Sequence, residues 1–303
     1  MKLRLLFFAA FLSLASCTSD DSTDPVNENP DPTPPVEKNI KRIEEYGFNG
    51  ETESLYQVIL CENNKIHQIL GYIDPDPSVI SGMEEYSYDS QGRLNSLTYN
   101  YYTIYGDDTF TSFEYDAQGR LTYMKADDED SSINRIREYT YNIEDNVVTG
   151  DYDPGGTLPN IYYMNGNGII YKTEYENEFY SSITEVNYQG NNIVSNTRIS
   201  NSTNFNPYTI NYTYDYETEV KGQYLNLYRN SFGSTNNMVL FRADFYLAAL
   251  CTDNYILTES KANSTDVNTY YEYSFDEDGY PVEIRRISSG SDVYFQKTVI
   301  IYE

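Results

Sequence analysis

The 303-residue sequence has no Trp, one His and three Cys, and only 20 Lys and Arg against 47 Asp and Glu. With His67 as its sole imidazole it has no His-rich metal site, and any Ser-His-Asp or Cys-His arrangement would have to be built on that one residue. The net charge of -27 removes the basic face that phosphate recognition needs, so no nucleic acid partner is expected. The same deficit excludes a polybasic membrane patch. Aliphatic core formers are scarce, because the 39% hydrophobic share includes 34 Tyr. The N-terminal apolar run, Leu5 to Leu14, covers 10 residues; that is short of the ~20 that span a bilayer and fits the core of a secretory signal.

What the N-terminus does contain is an address. Met1-Lys2-Leu3-Arg4 is a basic start, and the apolar run ends in Leu14-Ala15-Ser16-Cys17. Small residues before a cysteine resemble the lipobox of bacterial lipoproteins. The resemblance implies removal of residues 1–16, thioether lipidation of Cys17 and attachment to outer-membrane lipid. Several acyl chains anchor stably where one does not. Ser19-Asp20-Asp21 resembles the export signal that sends Bacteroidota lipoproteins to the outer leaflet, which implies display toward the cell exterior. Pro25, Pro30, Pro32, Pro34 and Pro35 among Asp, Asn, Ser and Thr show no hydrophobic period, so residues 17–39 read as lipidated Cys and linker. Such a linker reaches roughly 60 Å at most at ~3.1 Å per residue.

Residues 40–303 alternate in the manner of strands. Tyr86 and Tyr88, Tyr139 and Tyr141, Tyr212 and Tyr214, and Tyr271 and Tyr273 sit at i and i+2, which puts both rings of a pair on one strand face. Tyr88-Asp89-Ser90-Gln91-Gly92-Arg93-Leu94 returns 27 residues later as Tyr115-Asp116-Ala117-Gln118-Gly119-Arg120-Leu121, and Phe275-Asp276-Glu277-Asp278-Gly279-Tyr280 is a looser copy. Further loose copies fall at Tyr141-Asn142, Tyr188-Gln189-Gly190 and Cys61-Glu62. A fixed period marks a repeat. Gly92, Gly119 and Gly279 supply positive φ for tight turns. Asp89 and Asp116 are expected near turn amides, with Arg93 and Arg120 opening the next strand, and Asp278 is expected with Gly279 in the third repeat turn. The Tyr-Asp-x-x-Gly-Arg-Leu form resembles the YD repeat of RHS-type proteins, which implies the hairpin but not their large shell.

Asn230-Ser231-Phe232, the apolar stretch 238–250, Thr258-Glu259-Ser260-Lys261 and the closing Asp278-Gly279-Tyr280-Pro281 resemble in their order an uncharacterised family of Bacteroidota lipoproteins described as having a porin-like fold. That resemblance implies a shape and a compartment, with no activity attached. The expected fold is therefore all-β: an antiparallel meander of repeated hairpins, curled or closed into a barrel-like sheet, with one short helical or covering insertion near 238–250. A membrane pore is not expected, since Tyr alternates with Ser, Thr, Glu or Asp where lipid-facing strands need apolar residues.

No residue set here reads as catalytic, and no cofactor or metal is expected. His67 lies in an alternating stretch and reads as a polar-face strand residue. The clusters Asp107-Asp108, Asp127-Asp128-Glu129-Asp130, Asp151-Tyr152-Asp153 and Asp276-Glu277-Asp278 lack the spacing of a calcium loop and read as solvated turns. Cys61 and Cys251 are two buried thiols or one bridge. Most Tyr should stabilise the sheet by cross-strand pairing, with Tyr99 to Tyr105 a candidate outward binding strip. The expected role is non-catalytic binding of a glycan or an envelope protein. A structural spacer or accessory subunit and a carboxylate-dependent hydrolase are the alternatives. A glycan binder should show clustered outward Tyr, a spacer no pocket, and a hydrolase a buried carboxylate pair.

Overall fold

The structure, a computed structural model, describes residues 37–303 except 49, 74–75, 103–107, 129–134, 154–159, 177–180, 202–205, 243–244, 246–247, 249–250, 263–267 and 291–292. Cys17, Ser19, Asp20 and Asp21 lie outside the described residues. Period-two alternation produces eighteen strands among the described residues. The first nine are β1 (Ile40–Phe48), β2 (Glu53–Glu62), β3 (Lys65–Ile73), β4 (Asp76–Tyr88), β5 (Leu94–Tyr101), β6 (Thr109–Tyr115), β7 (Leu121–Asp128), β8 (Arg135–Asn142) and β9 (Val147–Asp153). The rest are β10 (Asn160–Met164), β11 (Ile170–Glu176), β12 (Ser181–Gln189), β13 (Asn192–Ser200), β14 (Tyr208–Asp215), β15 (Tyr255–Lys261), β16 (Asn268–Phe275), β17 (Pro281–Ser288) and β18 (Tyr294–Tyr302). Each pairs antiparallel with the next, and β18 returns to β1 from Ile40↔Tyr302 to Gly47↔Gln296. The meander closes into a barrel, which leaves no sheet edge.

The two ends of the barrel differ. Every odd strand starts at the end that carries the tight turns. Four of those turns share one geometry. Asp89 Oδ1 accepts the Gln91 and Arg93 backbone N–H groups at 2.9 Å each, and Gly92 N–H reaches the Asp89 carbonyl at 2.9 Å. Asp116, Asn165 and Asp276 repeat the arrangement. In the third copy the Asp role falls to Asp276, and Asp278 sits within the turn with its carboxylate 2.6 Å from Lys38. The Asx geometry requires the carboxylate three residues before the glycine, and only Asp276 has that spacing. The Asn165 turn was not anticipated, because Asn replaces Asp and Met164 replaces Tyr.

Adjacent turns are clamped together by tyrosine. The Tyr88 hydroxyl donates to the Ile66 carbonyl (2.6 Å), Tyr115 to Leu94 (2.9 Å) and Tyr141 to Leu121 (3.0 Å). Tyr188, Tyr214, Tyr273 and Tyr302 do the same to Ile170, Ile193, Ile256 and Pro281. In each case the last inward Tyr of an even strand bonds to the first or second residue of the preceding odd strand. A register shift precedes Tyr88, Tyr115, Tyr188 and Tyr214; such bulges bend a strand and re-aim its side chain. The basic residue of one turn then covers the next ring, with Arg93 over Tyr115 at 5.1 Å and Arg120 over Tyr141 at 4.5 Å. Arg93 and Arg120 also pair with Asp89 and Asp116 in their own turns.

Eighteen strands enclose more space than their own side chains fill. The segment between β14 and β15 occupies part of it. It forms a 3-10 turn at Tyr224–Asn226 and the helices α1 (Leu227–Phe232) and α2 (Thr235–Arg242). Leu227, Phe232, Met238, Val239 and Leu240 are buried against Ile43, Ile59, Ile69, Leu97 and Phe113 of the wall. Polar side chains pin the insertion to strand starts: Ser231 Oγ accepts the Ile66 N–H (2.9 Å), Asn237 Oδ1 that of Leu121 (3.1 Å) and Asn236 Oδ1 that of Ile170 (2.9 Å). The expected short helical insertion near 238–250 is present: α2 covers its start, the helical stretch begins earlier at Leu227, and the segment plugs the interior. These helices are six and eight residues long, shorter than the window in which a helical period can be read from sequence.

Two outcomes follow. Gly119 has φ +77° and open space around a Cβ, so Gly119→Val should cost about 1 kcal/mol or more through backbone strain alone, lowering the thermal midpoint by roughly 2–4 °C. An unchanged midpoint in calorimetry would refute this. Acid sensitivity is the second. The Arg93 backbone N–H holds the Asp89 carboxyl below its usual value. For Asp116 partial burial pushes up, but the bonds from Arg120 outweigh it and the value is again lowered. Stability from these groups is complete above the unfolded carboxylate pKa of ~3.9 and is lost as pH falls through the lower folded values. Asn165 shows that Asn serves the same turn, so Asp89→Asn with Asp116→Asn should keep the fold and flatten the acid limb of a circular-dichroism titration below about pH 4.

Candidate ligand cavity inside the barrel

Above the plug lies a cavity of about 520 Å³, within the ~300–1,000 Å³ range of small-molecule sites. Its composition changes with depth. Next to the helices, Ile59, Ile69 and Leu97 of the wall meet Leu227, Phe232 and Phe241 of the insertion. Two residues further along each strand, on the same inward face, the lining becomes polar: Glu45 after Ile43 on β1, Glu84 before Tyr86 on β4, Arg286 after Ile284 on β17 and Tyr271 before Tyr273 on β16. This polar belt therefore lies on the side away from the tight turns. Tyr101, 42% exposed, stands where the cavity meets solvent.

The belt is hydrogen-bonded over six consecutive strands, β15 through β18 to β1 and β2. The Tyr271 hydroxyl donates to Glu259, and Arg286 lies 3.5 Å from the same carboxylate. Arg286 Nη1 donates to Gln296 Oε1 (2.7 Å), Gln296 Nε2 to the Tyr56 oxygen (2.5 Å) and the Tyr56 hydroxyl to Glu45 (3.0 Å). Burial raises the Glu45 carboxyl above its usual value, and Tyr56 and Arg286 only partly offset it. Across the cavity, Glu84 Oε2 accepts the Tyr86 hydroxyl at 2.7 Å. Tyr99 and Tyr101 stand beside it with ring centroids 4.1 Å apart and planes tilted by 53°.

The carboxylates around the cavity are not neighbours. Glu45 on β1 and Glu84 on β4 are separated by three strand spacings, ~14 Å around the wall at ~4.8 Å each. Glu259 and Glu45 are four spacings apart. Glycosidase pairs sit at ~5–9.5 Å.

The turn residues Asp89, Gly92, Arg93, Asp116, Gly119, Arg120, Asp278 and Gly279 lie at the tight-turn end, away from the belt. His67 is exposed on β3. Cys61 and Cys251 are free thiols, and burial pushes both upward, Cys61 to about 12 and Cys251 to about 11. Among the described residues no group of acidic, His or Cys side chains is placed to hold a metal. The expected outward strip is corrected: Tyr99 and Tyr101 line the cavity, Tyr102 is exposed and residues 103–105 lie outside the described residues. The period-two register from Leu97 forces Tyr99 and Tyr101 inward. Sequence reasoning missed Glu45, Glu84 and Arg286. Their signal was available, as each is a charged residue two positions from a core residue on the same strand face.

No family model matches the chain, and no curated protein matches it. A porin-like protein from Bacteroides uniformis is similar in backbone, at 14% identity and TM-score 0.43, over 87% of this chain and 98% of that one. A porin-like protein from Bacteroides vulgatus gives 12% and 0.40, over 88% and 99%. A chain of the Tc holotoxin pore of Photorhabdus luminescens gives 14% and 0.31, over 85% of this chain and 14% of that one. Likenesses this distant say nothing of activity.

Arg286 is the cation nearest Glu45 in the belt. Its replacement in Arg286→Gln should raise the Glu45 pKa further, because an opposing charge that stabilised the carboxylate is gone. The carboxyl ¹³C shift of Glu45 followed against pH checks the direction, and an unchanged titration would show the two groups to be uncoupled.

Proposed function

We propose that this protein is a lipid-anchored, non-catalytic binding protein of the outer membrane, held by acylated Cys17 and displayed toward the cell exterior. The observation that carries the reading is the cavity, with its polar belt inside the barrel. Lys38 is fastened at the turn end by Asp276 (2.8 Å) and Asp278 (2.6 Å). A pure spacer has no use for a lined cavity of this size, and the carboxylate separations do not favour a hydrolase. Of the partners expected from the sequence, a glycan would engage the polar belt, while a folded envelope protein would have to use the outer surface.

The outer face supports a barrel in water. Arg42 and Glu44, Lys297 and Glu53, Arg285 and Glu283, and Lys172 and Glu174 pair on outward positions. A lipid-facing wall carries an apolar band there. The anchor reading has a direct test in cells. Cys17→Ser should abolish incorporation of a fatty-acid label. Asp20→Ala with Asp21→Ala should keep the label but lower antibody access on intact cells. Full labelling of the Cys17 variant would remove the anchor, and equal access in the second would remove the export signal.

A further inference from the structure

The cavity's own chemistry narrows what it accepts, and the narrowing rests on the binding reading above. Glu84 reaches the belt with one bond from Tyr86, and among the described residues no cationic side chain pairs with it. Arg286, the lining cation, is engaged by Glu259 and Gln296. The belt therefore carries more negative than positive charge, inside a chain of net charge -27 whose field concentrates cations and repels anions. Beside Glu84 stand the Tyr99 and Tyr101 rings, 4.1 Å apart and tilted. Aromatic faces carry the negative end of the ring quadrupole and attract ammonium groups, most strongly when water is excluded. Below them the lining offers apolar surface from Leu97, Leu227 and Phe232.

We propose that the cavity binds an organic cation, its ammonium head between Glu84 and the Tyr99–Tyr101 pair and its apolar or ring body on the floor made with the plug. A neutral sugar could stack on the same rings, but its hydroxyls would lose water against the aliphatic floor without replacement partners, which is costly. A carboxylate ligand would meet Glu84 at the point where the cavity needs a positive charge.

Three probes that share a phenyl body separate these classes: phenyltrimethylammonium, phenyl β-glucoside and benzoate, titrated calorimetrically into the purified full chain. The cation should bind about tenfold more tightly than the other two. Glu84→Gln should weaken it about tenfold and erase its preference over the glucoside. Leu97→Trp, which fills the floor, should abolish binding of all three. Ile69→Phe serves as the second filler if circular dichroism shows that the first does not fold. If the glucoside or benzoate binds best, or if Glu84→Gln leaves the preference intact, the cation assignment is overturned while the cavity remains a binding site. If no probe binds, or if binding survives in a folded filler variant, the cavity reading itself fails.

Discussion

The structure depends on a repeated bond from a tyrosine hydroxyl to a carbonyl at the start of the preceding strand. Tyr88, Tyr115, Tyr141, Tyr188, Tyr214, Tyr273 and Tyr302 each make it. A buried carbonyl without a partner is expensive, and a satisfied one contributes about 0.5–1.5 kcal/mol net. Seven such bonds are of the same order as the ~5–15 kcal/mol by which a whole domain is stable. They also set the geometry, because the bulges that precede Tyr88, Tyr115, Tyr188 and Tyr214 bend their strands and aim the rings inward. Where the slot holds Met164, the backbone substitutes: Met164 N–H donates to the Asn146 carbonyl at 2.7 Å.

Closure at eighteen strands creates the next constraint, an interior too wide for wall side chains to fill. The insertion between β14 and β15 answers it at one end only. Its buried Ser231 and Asn237 and half-buried Asn236 satisfy strand-start N–H groups that would otherwise be orphaned near the plug. The unfilled remainder is the cavity, apolar where the helices reach and polar beyond them. Site and scaffold thus share a cause, as the depth of the plug sets the depth of the cavity.

The outer wall follows a different rule. Ion pairs and tyrosine–carboxylate bonds, such as Tyr163 to Glu174 at 2.7 Å, occupy outward positions that acyl chains would leave unsolvated. Among the described residues no helix is long and apolar enough to cross a membrane.

Much of the local architecture was determined by sequence alone. Tyr at i and i+2, followed by Asp and three residues later Gly, specifies a strand end, an Asx-type turn and an inward ring, because side-chain period and positive φ are properties of a few neighbouring residues. Met164-Asn165 escaped notice because it keeps the geometry with other side chains. The helices at 227–242 escaped because at six and eight residues each is too short for a helical period to show. Only the tertiary structure decided that the sheet closes, that the insertion enters the lumen, and that Glu45, Glu84 and Arg286 share one cavity. Those residues come from β1, β4 and β17, and what brings them together is the sum of bend and register over the whole meander, a quantity that no short window of sequence contains.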